Sequence, residues 1–396
     1  MKNFIFISPN FPDTYWHFCR ELKNNGLRVL GIGDCPYGDL QQELRDSLNE
    51  YYKVDSLEDY EQVFRAVAFF TYKYGKIDWL ESNNEYWLER DAKLRTEFHI
   101  TTGFQEEDMK AVKCKSAMKA YYKKAGIPTA RYHMVSDFKK AKAFAKKVGY
   151  PVVVKPDNGV GASHTYRLQS DEELQFFFDT KDDVQYIMEE MVKGVVCTYD
   201  AIIGANGEPL FESGNVTPLS IMDVVNDAMD SIYYLVKELP EDVRDAGLRT
   251  VKAFGVKSRF VHLEFFRLTE DQEGLGKKDD VIGLEVNMRP CGGYTPEMYN
   301  YAYETDVYKI WADMIAFNES TKPIGNRHFC AFCGRRDGQG YKMDDNAVVE
   351  KYGHLLVMHG RIPDALSGAM GNTMYVGNFE NEEEMWNYYR DLMDRI

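Results

Sequence analysis

Short apolar runs alternate with helical stripes over the first hundred residues. Residues 4–8, 28–33, 51–55 and 77–80 are strand-like, whereas 15–24 and 57–74 repeat apolar positions at helical spacing. Strand, helix, strand, repeated in that order, implies a parallel sheet of Rossmann-like type over residues 1–112. Gly31 and Gly33 do not make a dinucleotide loop, because they lie in the second strand and no third glycine opens a helix after them. Asn83, Asn84, Glu85 and Glu89 fall near a strand end. They suit a substrate-side wall or merely the polar loops of a structural domain, and the second reading is favoured for any one of them.

The next hundred residues mix helices with short strands. Residues 113–125 predict a helix closed by Gly126 and Pro128, with Lys115 and Lys119 four apart on one face. A strand at 131–135 and a helix at 137–148 follow. The apolar strand 151–154 then delivers Lys155, and a loop with Gly159, Gly161 and Ser163 precedes a strand through Tyr166 and Leu168. Glycines let backbone N–H groups turn toward a phosphate, and a lysine at the strand end supplies positive charge. The same pattern also suits a hairpin with a glycine-rich tip and no ligand. A helix over 171–178 leads to YIMEEMVKG. There Glu189, Glu190, Met191 and Val192 form a short strand running into a linker, suited to an adenine edge between apolar walls.

In FVHLEFF, residues 260–266, alternation puts His262 and Glu264 on one face. VIGLEVNMRP, residues 281–290, puts Glu285, Asn287 and Arg289 on one face and Ile282, Leu284, Val286 and Met288 on the other. Adjacent strands of this kind gather two carboxylates, an amide oxygen and a guanidinium. The oxygens suit magnesium, which takes phosphate oxygens to complete its octahedron, and an arginine beside them suits an anion. A solvated hairpin face with paired charges fits the same residues, and the strands alone leave both readings open.

Residues 295–318 read as one helix rich in tyrosine and methionine. Beyond Pro323, residues 330–336, 348–358 and 373–379 are strand-like and 382–395 is helical. The net charge of -15 over 396 residues argues against nucleic acid as the main partner. The N-terminal apolar run is too short for a signal peptide or a membrane span. Seven cysteines at irregular spacing argue against a disulfide framework and fit a reducing cytoplasm. Cys330 and Cys333 form a single CxxC, and zinc would want a second pair.

Taken in order over residues 1–320, these motifs resemble the ATP-grasp superfamily. Lys115 before AGIP, Lys155 after YPVVV, Gly159 and Gly161 of the flap, Glu189 to Val192 of the hinge, and Glu264, Glu285, Asn287 and Arg289 fall in the superfamily's sequence. EVNMRPCGG, with His262 two residues before Glu264, is most similar to the carboxylate-amine ligases that join amino acids. Biotin carboxylases continue past the arginine with a glutamine-valine-glutamate-histidine run, where this chain has Cys291, Gly292, Gly293 and Tyr294. Val196 stands where the superfamily usually has a glutamate for the ribose hydroxyls.

The resemblance implies an α/β and α+β chain with the ATP-grasp fold: a Rossmann-like pre-ATP-grasp domain over 1–112, an ATP-grasp domain over 113–321 with a small lid at about 128–192, and a C-terminal subdomain over 322–396. It implies ATP and two magnesium ions, with manganese as an alternative. Nucleotide contacts would come from Lys115, Lys155, Gly159, Gly161, Ser163, Glu189, Glu190, Met191 and Val192, and metal contacts from Glu264, Glu285 and Asn287. Arg289 would steady an acyl phosphate, and His262 would position a carboxylate or act as a base. The activity implied is amide-bond formation between a small-molecule carboxylate and an amine, releasing ADP and phosphate, in a cytoplasmic protein without nucleic-acid or membrane partners. Carbamoyl-phosphate-type or acid-thiol ligation uses the same first step, and a nucleotide-binding protein without turnover is a third reading. The C-terminal subdomain would complete the substrate pocket or form a homodimer contact.

Overall fold

The computed structural model describes residues 1–159, 164–220, 224 and 229–396. Strands Asn3–Ile7 (β1), Arg28–Gly33 (β2), Glu50–Lys53 (β3) and Trp79–Glu81 (β4) form a parallel sheet in the order β3-β2-β1-β4. Phe4 and Phe6 of β1 pack with Phe18, Tyr308 and Trp311, while Ile5 and Ile7 pack with Val67 and Phe70 on the other face. Both faces are covered, which is why the first strand is apolar throughout rather than alternating.

A small antiparallel sheet follows, made of Tyr132–Met134 (β5), Val152–Pro156 (β6), Tyr166–Leu168 (β7) and Tyr186–Glu190 (β8) in the order β5-β8-β6-β7. Its own apolar cluster includes Val152, Val154, Leu174, Phe177 and Met188. The helices Phe138–Val148 and Asp171–Thr180 cover it, capped by Asp137 and Ser170.

The third sheet carries the expected metal-site strands. Gly194–Ile203 (β9), Pro209–Ser213 (β10), Asn215–Thr217 (β11), Ser231–Leu235 (β12), Arg259–Leu268 (β13), Val281–Asn287 (β14), Phe329–Arg335 (β15), Leu356–Arg361 (β16) and Thr373–Phe379 (β17) make nine strands. Their order is β14-β13-β9-β11-β12-β15-β17-β16, with β10 also on β9. The strands beyond residue 322 thus continue the body's own sheet through the β12–β15 pair.

Three expected elements differ. The helix expected over 113–125 divides at Cys114, whose extended backbone bridges Asn158, into Met109–Lys113 and Lys115–Lys124. The single helix expected over 295–318 is two, Thr295–Ala302 and Val307–Phe317, because Asp306 caps the second by accepting from the Lys309 amide. The strand expected over 348–358 begins as the helix Asp345–Tyr352, which Asp344 starts by accepting from the Ala347 amide, and only then becomes β16. Its Val348-Val349 pair suggests a strand, but the buried residues are Val348 and Tyr352, four apart on one face of a capped helix, and Val349 is exposed.

Candidate active site

β13 and β14 pair antiparallel, with Glu264 opposite Glu285 and His262 opposite Asn287. The Asn287 amide donates to Glu264 Oε1 at 3.0 Å. Arg289 donates to Asn287 Oδ1 at 3.2 Å and to Glu85 Oε2 at 3.2 Å. Glu85, at the carboxyl end of the N-terminal sheet, is also paired with Lys113. On the other side of β13, Asp200 of β9 stands in register with His262. Its Oδ1 lies 2.6 Å from His262 Nδ1, and His262 Nε2 lies 3.2 Å from Glu264 Oε1 and 3.7 Å from Cys291 Sγ.

Burial works to lower the pKa of His262, yet the neighbouring Cys291 and the Asp200 carboxylate outweigh it and hold the imidazole well above its ordinary value. Burial pushes the Glu264 carboxyl up, and His262, Arg289 and Lys155 together bring it below the usual range. One expected facing is corrected. A β-bulge lets Phe265 pair with Gly283, so Leu284, expected on the face opposite Glu285, turns toward the same cavity that Glu285 lines.

Lys115 and Lys119 arrive by docking of the helix Lys115–Lys124 on β14, and Lys155 comes from β6. A Cβ on Gly283 would lie 2.6 Å from the buried ring of Tyr122, so only glycine lets helix and strand approach this closely. Asp157, just past β6, caps the same helix: its carboxylate accepts from the Ser116 amide at 2.7 Å and the Ser116 hydroxyl at 2.8 Å. Lys115 Nζ consequently stands 3.1 Å from Glu285 Oε1 and 3.4 Å from the Gly159 carbonyl.

Lys155 Nζ is 2.7 Å from Glu189 Oε2, and Lys119 pairs with the other Glu189 oxygen. Burial raises the Glu189 pKa, but the two ammonium groups hold it at about 2. Lys155 and Lys119 shift in opposite senses. Burial lowers both, but Lys155 also faces Glu285 and Glu264 and ends above its ordinary value, whereas Lys119 is repelled by Lys155 and ends below. The Glu190 carboxylate accepts from the Arg131 amide at 2.7 Å and from its guanidinium at 2.5 and 2.9 Å.

Two cavities meet at this cluster. One, of about 300 Å³, has an apolar slot of Val153, Met191, Val192, Phe266 and Leu284, and a charged end at Lys115, Lys155, Glu285, Asn287 and Arg289. The other, of about 350 Å³, is lined by Thr198, Asn215, Tyr233, His262 and Cys291, and by Ala365, Leu366, Gly368, Ala369 and Met370. Val196, Thr217 and Glu264 line both. An apolar slot ending in cations fits a purine nucleotide with its phosphates. Among the described residues no group of three or more His, Cys, Asp or Glu side chains stands together as a metal cage. Two carboxylates and an amide oxygen are an open half-shell, which fits magnesium sharing its coordination with phosphate.

Of the expected site residues, Lys115, Lys155, Gly159, Met191, Val192, Glu264, Glu285, Asn287 and Arg289 line the first cavity, and His262 lines the second. Glu189 and Glu190 lie beside the slot, their carboxylates taken by the lysines and by Arg131. Gly161 and Ser163 lie outside the described residues. Asp200 and Thr198 belong to β9, an element not among the expected ones although TYDAII alternates as a strand does. Cys330 and Cys333 are buried in separate apolar clusters on β15, as an i, i+3 spacing on a strand dictates.

Residues 114–186 match the family model described as the ATP binding domain of the carbamoyl-phosphate synthase L chain. An L-arginine-specific L-amino acid ligase of Bacillus subtilis is 24% identical over 327 residues, spanning 78% of this chain and 74% of that protein. The crystal structure of an L-amino acid ligase from Bacillus licheniformis covers 100% of this chain and 98% of that one, with a TM-score of 0.70 at 16% identity. The biotin carboxylase domain dimer of the Hydrogenobacter thermophilus 2-oxoglutarate carboxylase, in complex with MgADP, covers 99% and 89% of the two chains, with a TM-score of 0.69 at 15% identity. The chain has the ATP-grasp fold.

Proposed function

We propose that this chain is an ATP- and magnesium-dependent ligase that joins a small-molecule carboxylate to an amine through an acyl phosphate, releasing ADP and phosphate. One observation carries the reading: the cavity with the lysines and the cavity with His262 share Glu264, so a phosphate held by one faces whatever fills the other. The B. subtilis relative, named as an amino acid ligase, supports amino-acid-like substrates. The match to a carbamoyl-phosphate synthase lies within residues 114–186 and supports the nucleotide half alone.

In this reading Lys115 and Lys155 bind the phosphates, and Met191, Val192, Phe266 and Leu284 enclose the base. Glu264, Glu285 and Asn287 would hold magnesium, which would supply neutralisation of phosphate charge. The substrate carboxylate oxygen attacks the γ-phosphorus and ADP leaves. The amine then attacks the carbonyl carbon, the C–O bond to phosphate breaks, and the proton lost from nitrogen leaves with the phosphate. Arg289 faces the charge that develops on the carbonyl and phosphate oxygens. His262, tied to Asp200, orients Glu264. No described helix is long and apolar enough to cross a membrane. A cytoplasmic setting and a homodimer like the H. thermophilus neighbour's complete the proposal.

The test is incubation of the purified protein with ATP, magnesium and pooled L-amino acids. ADP forming together with a new amide supports ligation. ADP that requires bicarbonate points to carboxyl phosphate instead, and no ADP under any condition sinks the enzymatic reading.

A further inference from the structure

The second cavity has a wall that phosphate chemistry does not need. It is the helix Asp364–Met370, which brings Ala365, Leu366, Ala369 and Met370 to the same space as His262 and Glu264. So short a helix has little stability of its own and must be held by its surroundings. Arg336, just past β15, holds it: the guanidinium donates to the carbonyls of Ser367 at 2.5 Å and Gly368 at 2.8 Å. The same side chain donates through Nε to the Met229 carbonyl at 2.9 Å, just before β12, whose Ser231 and Tyr233 line the cavity.

The end of the helix lies backbone against backbone on β15. A Cβ on Gly334 would stand 1.7 Å from the Met370 carbonyl oxygen, and Gly371 turns the chain away at φ +88. Met370 is thereby pressed toward the loop that follows Arg289. Its Cε and Sδ lie 2.6 and 2.7 Å from where a Cβ on Gly293 would sit.

We infer that the helix Asp364–Met370 is the specificity wall for the substrate side chain, with Met370 as the specificity-determining residue and Arg336 as a positioning residue, and that the side chain received there is uncharged and apolar. This rests on the ligase reading above. Among the described lining residues there is no Lys, Arg or Asp, and the one carboxylate, Glu264, already pairs with His262 at 3.2 Å. A charged substrate side chain would lose water there without a counter-charge, whereas an apolar one gains contact with Leu366 and Met370.

The test uses wild-type protein, Met370→Ala, Leu366→Ala and Arg336→Lys, each checked by thermal melting. ADP release is measured with L-leucine, L-phenylalanine, L-arginine and L-glutamate, varied separately from ATP. Wild type is expected to prefer L-leucine over the two charged amino acids. Met370→Ala should shift the ratio of kcat/KM for L-phenylalanine over L-leucine upward by about fivefold or more, with the KM for ATP unchanged within about twofold. Arg336→Lys should raise the KM for every amino acid while leaving that for ATP unchanged. If Met370→Ala does not fold, Leu366→Ala carries the same comparison. An unaltered ranking in an active, folded wall variant overturns the wall alone. A wild-type preference for L-arginine or L-glutamate overturns the uncharged side chain. Wild-type protein that releases no ADP with any amino acid overturns the ligase reading, and the inference falls with it.

Discussion

Lys115 Nζ and Glu285 Oε1 stand 3.1 Å apart, joining the cation expected to meet phosphate to a carboxylate expected to meet magnesium. Each is the other's counter-charge when the cavity holds neither ligand, and MgATP would replace that one contact with two of the same signs. Removing one charge should therefore injure the chemistry more than the fold. Glu285→Gln should lower ADP formation by a hundredfold or more, about 2.7 kcal/mol of transition-state stabilisation. Circular dichroism should show the protein still folded. Full turnover in this variant would end the metal assignment.

Glu189 gives a pH dependence whose sign can be worked out. Its carboxyl, ordinarily near 4.5, is held at about 2 by Lys155 and Lys119 despite burial. A depressed folded-state pKa contributes stability that is present above the ordinary value and lost as pH falls from about 4.5 toward 2. Glu189→Gln should lose that part of the acid dependence. It should also be destabilised at neutral pH by about 3 kcal/mol, because two buried ammonium groups lose their partner. Urea denaturation of both proteins across this pH range measures it, and parallel curves would contradict the assignment.

Gly283 is a structural requirement for the site. A Cβ there would sit 2.6 to 2.9 Å from three atoms of the Tyr122 ring, which is fully buried and cannot give way as a flexible side chain would. Gly283→Ala should cost about 1–3 kcal/mol of stability. It should also push the helix Lys115–Lys124 off β14 and weaken ADP binding, measured by calorimetry. Unchanged stability and affinity would show that the strand yields without moving Lys115.

The parts of this site visible in the sequence are those with a local period. His262 with Glu264, and Glu285 with Asn287, are two residues apart on strands, so alternation alone places each pair on one face, and the structure sets the two pairs opposite one another. What the sequence conceals depends on contacts between distant segments. Lys119 meets Glu189 seventy residues away, and Arg289 meets Glu85 across more than two hundred. Alternation sets Leu284 on the face opposite Glu285, because a one-residue bulge cannot be read from alternation. The cavity wall at 364–370 carries no periodic signal, since a seven-residue helix held by Arg336 owes its form to tertiary hydrogen bonds.

Passage through an acyl phosphate is the central claim, and the fate of a carboxylate oxygen tests it most directly. An amino acid labelled with heavy oxygen in its carboxyl group is incubated with the protein, ATP, magnesium and an acceptor amine, and the released phosphate is examined by mass spectrometry. Acyl-phosphate ligation predicts one labelled oxygen in the inorganic phosphate for each amide formed. Phosphate free of label while amide accumulates would contradict it.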